Sequence, residues 1–273
     1  IIPSQDSISM DLEAIFHSID DDTALVTLSQ VTFKSGFLYD VEQITRRAHQ
    51  KGALVLWDLS HSIAAVPIHL DQWEADMAIG CTYKYLNGGP GSPAFLYIRR
   101  DLQDSLQSPI WGWFGDKRPF AFDLHYIPAP GIQHFLCGSP PVLSLLSMEA
   151  ALQPILEAGI PAIREKSIVL TNYAVELFDE MLSPLGFSLG SPRQAAMRGS
   201  HISIRHAEGY RINRALIEEM KVIPDFREPD NIRLGLSPLY TSFSDVRETF
   251  SRIQQVMVQK RYLHFDQERL AVT

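Results

Sequence analysis

Ala24-Leu25-Val26-Thr27-Leu28, then Asp40 through His49, then Ala53-Leu54-Val55-Leu56-Trp57-Asp58 is the passage that decides the fold. The first and last runs are short, apolar and rich in strand-favouring residues, so each reads as a buried strand. Between them Asp40 can cap a helix that carries Val41, Ile44 and Ala48 on one face, and Gly52 ends it. Strand, helix, strand with near-continuous apolar strands is the pattern of an α/β sheet whose strands run largely parallel. Two further runs, Met77-Ala78-Ile79-Gly80 and Ala94-Phe95-Leu96-Tyr97-Ile98, extend the sheet.

Beyond residue 140 the character changes. Long helical patterns cover Val142 to Leu156 and Ile160 to Leu182, with Pro161 delaying the second. Short strands near His201–Arg205 and Ile232–Leu236 alternate with helices near Arg211–Met220 and Ser244–Met257. The expected organisation is therefore an α/β large domain over residues 1–158 and a smaller C-terminal α+β domain over 159–273.

The chain has 273 residues, a formal net charge of −8 and 45% hydrophobic residues. That length gives ample core for one large or two smaller domains. The acidity argues against nucleic acid or an anionic membrane as partner, since either wants a basic face. Cys81 and Cys137 are too few for a disulfide scaffold and suit a reducing compartment. No apolar run reaches the roughly 18 residues of a membrane span, and no secretory signal opens the chain. The expectation is a soluble, cytoplasmic protein. The chain opens Ile1-Ile2-Pro3 without methionine, as a piece of something longer would.

Ligands of open α/β sheets bind beyond the carboxyl ends of the strands, and two polar clusters sit at such ends. Asp58 closes the second strand. A ribose-binding acid would need a Gly-x-Gly-x-x-Gly turn upstream, and residues 23–51 contain none. An acid that keeps a heterocycle nitrogen protonated, as pyridoxal phosphate (PLP) enzymes need, is a second reading, and a helix cap is the plain one. Lys84 stands in Cys81-Thr82-Tyr83-Lys84-Tyr85-Leu86-Asn87-Gly88-Gly89-Pro90-Gly91, after a strand and before a glycine-rich turn. Burial there would disfavour its charged form and make the amine nucleophilic, whereas a surface lysine is the commoner fate. His61 can lie against a ring or donate to a phosphate. Ser139, in Gly138-Ser139-Pro140-Pro141, can meet an anion at a helix start or merely cap it. Arg233, inward on a strand, needs an anion: a substrate carboxylate or an internal ion pair. Asp58 and Lys84 at successive strand ends favour PLP over a nicotinamide dinucleotide.

These segments together resemble kynureninase, a fold-type-I PLP enzyme family of the aspartate-aminotransferase superfamily. The resemblance is carried by Trp57-Asp-Leu-Ser-His-Ser62, Ala75 through Ser92, Gly112-Trp-Phe-Gly115, Phe135-Leu-Cys-Gly-Ser-Pro-Pro141 and Arg227 through Tyr240. It implies that Lys84 bonds the cofactor, that Asp58 pairs with the pyridine nitrogen, and that His61 is a neighbouring contact. It implies that Tyr83 touches the cofactor phosphate and moves a proton, and that Trp113 and Ser139 lie on the phosphate side. The family often has Thr or Asn where this chain has Ser139. Ser29 falls on a Ser/Thr contact to the cofactor face, and Arg233 on the arginine that holds the substrate α-carboxylate. The implied reaction is hydrolytic Cβ–Cγ cleavage of L-kynurenine, or of 3-hydroxykynurenine, to anthranilate (or 3-hydroxyanthranilate) and L-alanine. It belongs to tryptophan breakdown and NAD biosynthesis. The family's phosphate-binding turn, ring-stacking aromatic and an aspartate near the ring oxygen precede the point where this chain starts. The implied assembly is a homodimer with the site at the interface, and no metal is expected. The competing readings are another class V aminotransferase-like enzyme, and an incomplete fragment without activity.

Overall fold

The computed structural model describes residues 1–4, 6 and 8–268. A first sheet has the order β1 (Leu25–Ser29), β2 (Leu54–Asp58), β3 (Met77–Cys81), β4 (Ala94–Ile98). The first three strands are parallel, and β4 returns antiparallel to β3. Apolar content cannot report strand direction, so the turn back through the glycine-rich loop 87–91 is new information.

Helix α1 (Leu12–Ser18) and helix α2 (Val41–Gln50) belong to this half. The Asp40 side chain accepts from Gln43 N–H at the α2 start, and Val41, Ile44, Thr45 and Ala48 form its buried face. Gly52, at φ 77°, makes the turn into β2. Trp57 is wholly buried, and its indole N–H donates to the Thr45 hydroxyl at 3.0 Å. The core of this half gathers Ile15, Ile44, Ala48, Val55, Trp57 and Ala78.

Only one face of the first sheet is covered. Along β1 to β4 burial alternates, and the open face exposes Leu25, Ile79 and Leu96 at 48%, 39% and 41%. The expectation that Ala24–Leu28 forms a fully buried strand is thus corrected: the run is apolar on both faces but packed on one.

After an irregular segment rich in 3-10 turns come α3 (Val142–Ala158) and α4 (Ile160–Leu177), joined at Gly159, φ 73°. One π-helical turn, Phe178–Leu182, continues α4 to Leu182. The second sheet is wholly antiparallel, in the order β5 (Ser188–Leu189), β6 (His201–Arg205), β8 (Asn231–Gly235), β7 (Asp225–Arg227). Helix α5 (Gly209–Glu218) and helix α6 (Phe243–Val258) join α4 around it, with Leu170, Ile202, Ile204, Leu216, Ile232, Phe250 and Ile253 in one core.

The two halves meet along the loop that leaves β1. The carbonyls of Lys34 and Ser35 accept from the Ser203 and Ser191 hydroxyls, that of Gly36 from Gly199 N–H (2.8 Å), while Leu38 N–H donates to Met197 (2.9 Å). This seam explains Gly36. Its φ is 74°, and a Cβ there would stand 2.9 Å from the His201 carbonyl oxygen. The outward residues of β6, His201 and Ser203, are buried because this loop covers them. No helix among the described residues is long and apolar enough to cross a membrane.

Candidate active site

Because β1, β2 and β3 are parallel, their carboxyl ends share one edge, where an open sheet receives ligands. Ser29 and Asp58 end β1 and β2 in register. The Ser29 hydroxyl donates to Asp58 Oδ2 at 3.0 Å, and Ser60 N–H donates to Oδ1 at 2.8 Å. Burial raises the Asp58 pKa, but the Ser60 hydroxyl and N–H, the Ser29 hydroxyl and nearby His61 outweigh it, and the carboxyl ends below its ordinary value. Asp58 is a held, ionised acid. It does bond a backbone N–H, so the plain capping reading describes part of its work.

His61 follows in the same turn. Burial first, then the positive Lys84, Arg233 and Arg227, push its pKa down to about 3 against the opposing pull of Asp58. Arg233 Nη1 stands 3.3 Å from His61 Nε2. A guanidinium can only donate, so Nε2 is the acceptor and the ring proton is on Nδ1. His61 is neutral near pH 7 and turns a bare nitrogen toward a cation.

Arg233 arrives from β8, across the seam. Nη1 donates to the Phe33 carbonyl at 2.7 Å and Nη2 to Asp225, which faces it across the β7–β8 pair. The internal ion pair that the sequence left open against a substrate anion is present. Behind Arg233 lies buried His201, its ring 5.8 Å from that of His61; burial, then Arg233 and His61, hold it well below its ordinary pKa.

Lys84 stands shortly beyond β3. It is half-buried, its amine lies 5.4 Å from the Tyr83 ring centre, and no hydrogen bond or ion pair engages it among the described residues. Tyr83 is 52% exposed, so its phenol is free to meet a ligand. Tyr85 turns inward instead: burial raises its pKa, and its hydroxyl bonds Ser200. In the turn that follows, Gly88 is closely packed: a Cβ there would stand 2.2 Å from the Met148 sulfur and 2.8 Å from the Ser92 Cβ, so both side chains would have to shift.

Trp113 and Ser139 are elsewhere in character. Trp113 heads a 3-10 turn, is 44% exposed, and packs edge-on to Phe114 and Phe120. Ser139 is exposed, and Pro141 caps α3 without any side-chain hydrogen bond, so Ser139 does not cap it. Among the described residues no hydrogen bond, ion pair or ring contact joins either one to the Asp58 cluster.

Sequence reasoning missed Ser60, the Phe33 carbonyl, Asp225 and Arg227. Asp225 gave little signal, because its strand is three residues long and two of the three are charged. The Phe33 carbonyl had no signal, because any residue supplies one. The residues present suit PLP: a fixed carboxylate for a protonated ring nitrogen, an unengaged primary amine, and a neutral imidazole beside them.

Residues 163–253 match the family of the kynureninase C-terminal domain. The chain is 42% identical over 250 residues to a kynureninase of Pseudomonas fluorescens, covering 92% of this chain and 60% of that protein. Among solved structures it resembles the apo cysteine desulfurase of Thermococcus onnurineus NA1, with TM-score 0.81 and 18% identity over 95% of this chain and 66% of that one. It also resembles a C-DES variant that has glycine covalently linked to its PLP cofactor, with TM-score 0.76 and 17% identity over 90% of this chain and 64% of that one. The structural likenesses show that the chain shares the fold of those proteins. By sequence the chain is similar to kynureninases, and it spans about 60% of the length of the curated relatives it matches.

Proposed function

We propose that this chain is part of a PLP-dependent hydrolase that cleaves the Cβ–Cγ bond of L-kynurenine, or of its 3-hydroxy derivative, releasing anthranilate (or 3-hydroxyanthranilate) and L-alanine. The observation that carries the reading is the convergence of the held Asp58 carboxylate, neutral His61 and Arg233 at the strand ends that also present Lys84. PLP, when bound, supplies the electron sink for charge developing beside the substrate nitrogen.

The chain's own residues do the rest. Asp58, kept ionised by Ser29 and Ser60, holds the proton on the cofactor's ring nitrogen. His61 borders the ring as a neutral imidazole. Arg233 holds the substrate α-carboxylate and fixes the Cα–H bond for removal. Lys84 Nζ, which no hydrogen bond or ion pair engages among the described residues, takes the α-proton and returns it to Cα once the Cβ–Cγ bond is cleaved. Water adds to the γ-carbonyl, collapse of the hydrate breaks Cβ–Cγ, and the exposed Tyr83 hydroxyl delivers a proton to Cβ. Water thus supplies the acid's oxygen, and the methyl of alanine gains the proton.

The exposed segment around Trp111, Phe122 and Leu143, at 67%, 79% and 84% exposure, supports a further part of the reading. In it the working enzyme is a homodimer, and Trp113 and Ser139 serve a phosphate site completed at the interface. A division at Gly159 into large and small domains, and a cytoplasmic location, complete the proposal.

The test is to incubate the chain with PLP and L-kynurenine and separate the products. Anthranilate and alanine should appear in equal amounts, and Lys84→Ala should lose both, a fall of at least about a thousandfold. Normal turnover by that variant would remove Lys84 from the reaction.

A further inference from the structure

Arg233 is not free. The guanidinium expected to grip a substrate carboxylate spends Nη1 on the Phe33 carbonyl and Nη2 on Asp225. Asp225 Oδ2 also accepts from Arg227 Nη2 at 2.9 Å. Asp225 and Arg227 are two apart on β7 and share a face, and Asp225 is directly opposite Arg233 in the ladder. Two guanidiniums share the Asp225 carboxylate here, and His61, being neutral, adds no charge of its own. The side chains of Arg233 and Asp225 are 15% and 30% exposed and that of Arg227 37%, so solvent screens the Arg233 side of the shared carboxylate less than the Arg227 side.

The geometry points to Asp225 as a latch on Arg233: it fills the anion place while the site is empty and passes to Arg227 when a substrate carboxylate takes Arg233. The exchange needs little movement, since Asp225 already contacts both guanidiniums. Freed Nη2 then serves the incoming carboxylate, and two cations face two anions. An amino acid whose carboxylate is amidated could not release the latch, so Asp225 sets selectivity as well as holding Arg233 in place. Asp225 is a positioning residue, not a catalytic one. The inference rests on the proposed role of Arg233, and the experiment separates the two.

The probe is 4-oxo-4-phenylbutanoate, a γ-keto carboxylate without the α-amine, so it binds but is not cleaved. Its primary amide is the control. With PLP present, calorimetry should show Asp225→Asn binding the carboxylate about fivefold tighter than the unaltered chain, because a neutral amide is displaced more easily. Affinity for the amide should not change. Arg227→Met, which leaves Asp225 nowhere to go, should weaken the carboxylate, and the double variant should recover it. A second readout needs no ligand: Arg233 should react with phenylglyoxal several-fold faster in Asp225→Asn, measured by peptide mass mapping. An unchanged labelling rate, or carboxylate affinity unchanged or lowered in Asp225→Asn, overturns the latch. If Arg233→Met keeps the preference for carboxylate over amide, the role of Arg233 itself is wrong.

Discussion

The cluster around Asp58 and the segment around Trp113 differ in what holds them. Asp58, His61 and Arg233 are fixed by hydrogen bonds that start from strand ends and cross the seam between the two sheets. Trp113 makes its ring contacts with Phe114 and Phe120 and is 44% exposed. Parallel strands and a rigid seam can place charged groups to within a hydrogen bond. An irregular segment with exposed apolar side chains is fixed only by what it packs against. The first region is therefore a polar cluster that this chain fixes by itself, and the second is an apolar surface that it leaves exposed.

The sharpest way to break this comparison is Asp58→Asn. The change keeps size and the Ser29 and Ser60 contacts within reach but removes the charge proposed to hold the proton on the cofactor's ring nitrogen. In the kynurenine assay kcat should fall by at least about a hundredfold, the scale of losing one preorganised charge interaction. The unfolding midpoint should move little. If kcat survives and stability collapses instead, Asp58 is a structural cap and the cluster loses its catalytic reading.

What the sequence could show follows the same divide. Asp58 and Lys84 were visible because a charged residue at the end of an apolar strand is conspicuous, and Asp40 because a capping acid precedes a periodic apolar face. Arg233 was visible as an inward cation, but its partners were not. Asp225 sits on a three-residue strand with two charged members, too short to show periodicity. The Phe33 carbonyl belongs to the backbone, and its role exists only because Gly36 lets the loop lie against β6. The openness of one sheet face was also hidden: Leu25, Ile79 and Leu96 read as core whether or not anything covers them. Patterns of side chains report what wants burial, not what is present to bury it.

A subtler test uses acid. His61 is held to a pKa of about 3 in the fold against 6.5 in the unfolded chain. The unfolded state therefore takes up a proton that the folded state refuses, and stability falls as pH drops below 6.5, down to about 3. At pH 5 the loss from His61 is about 2 kcal/mol. His201, buried behind it, acts with the same sign. Asp58, with its lowered pKa, contributes stability above its ordinary value that disappears only at more acid pH. Urea unfolding at pH 7 and pH 5 should show a smaller loss for His61→Gln than for the unaltered chain. Equal losses would mean that His61 is more open to water than its place beside Arg233 implies.

The smallest effect on folding is expected at Trp113. Replacing an exposed residue usually moves stability by no more than about 0.5 kcal/mol, and among the described residues the ring contacts of Trp113 are with Phe114 and Phe120, which are close in sequence. Trp113→Ala should accordingly unfold at the same urea concentration as the unaltered chain, measured at a dilution where self-association is absent. At high concentration, sedimentation should show less dimer for the variant, because an indole at an apolar interface carries more than its share of the binding. The two measurements must be read together. Lost dimer with intact folding assigns Trp113 to a surface shared between copies, and leaves the Asp58 cluster as the part that one chain builds alone. A loss of folding stability beyond about 2 kcal/mol, which burial of a large side chain brings, would instead make the aromatic segment part of this chain's own core, and the contrast between the two regions would disappear.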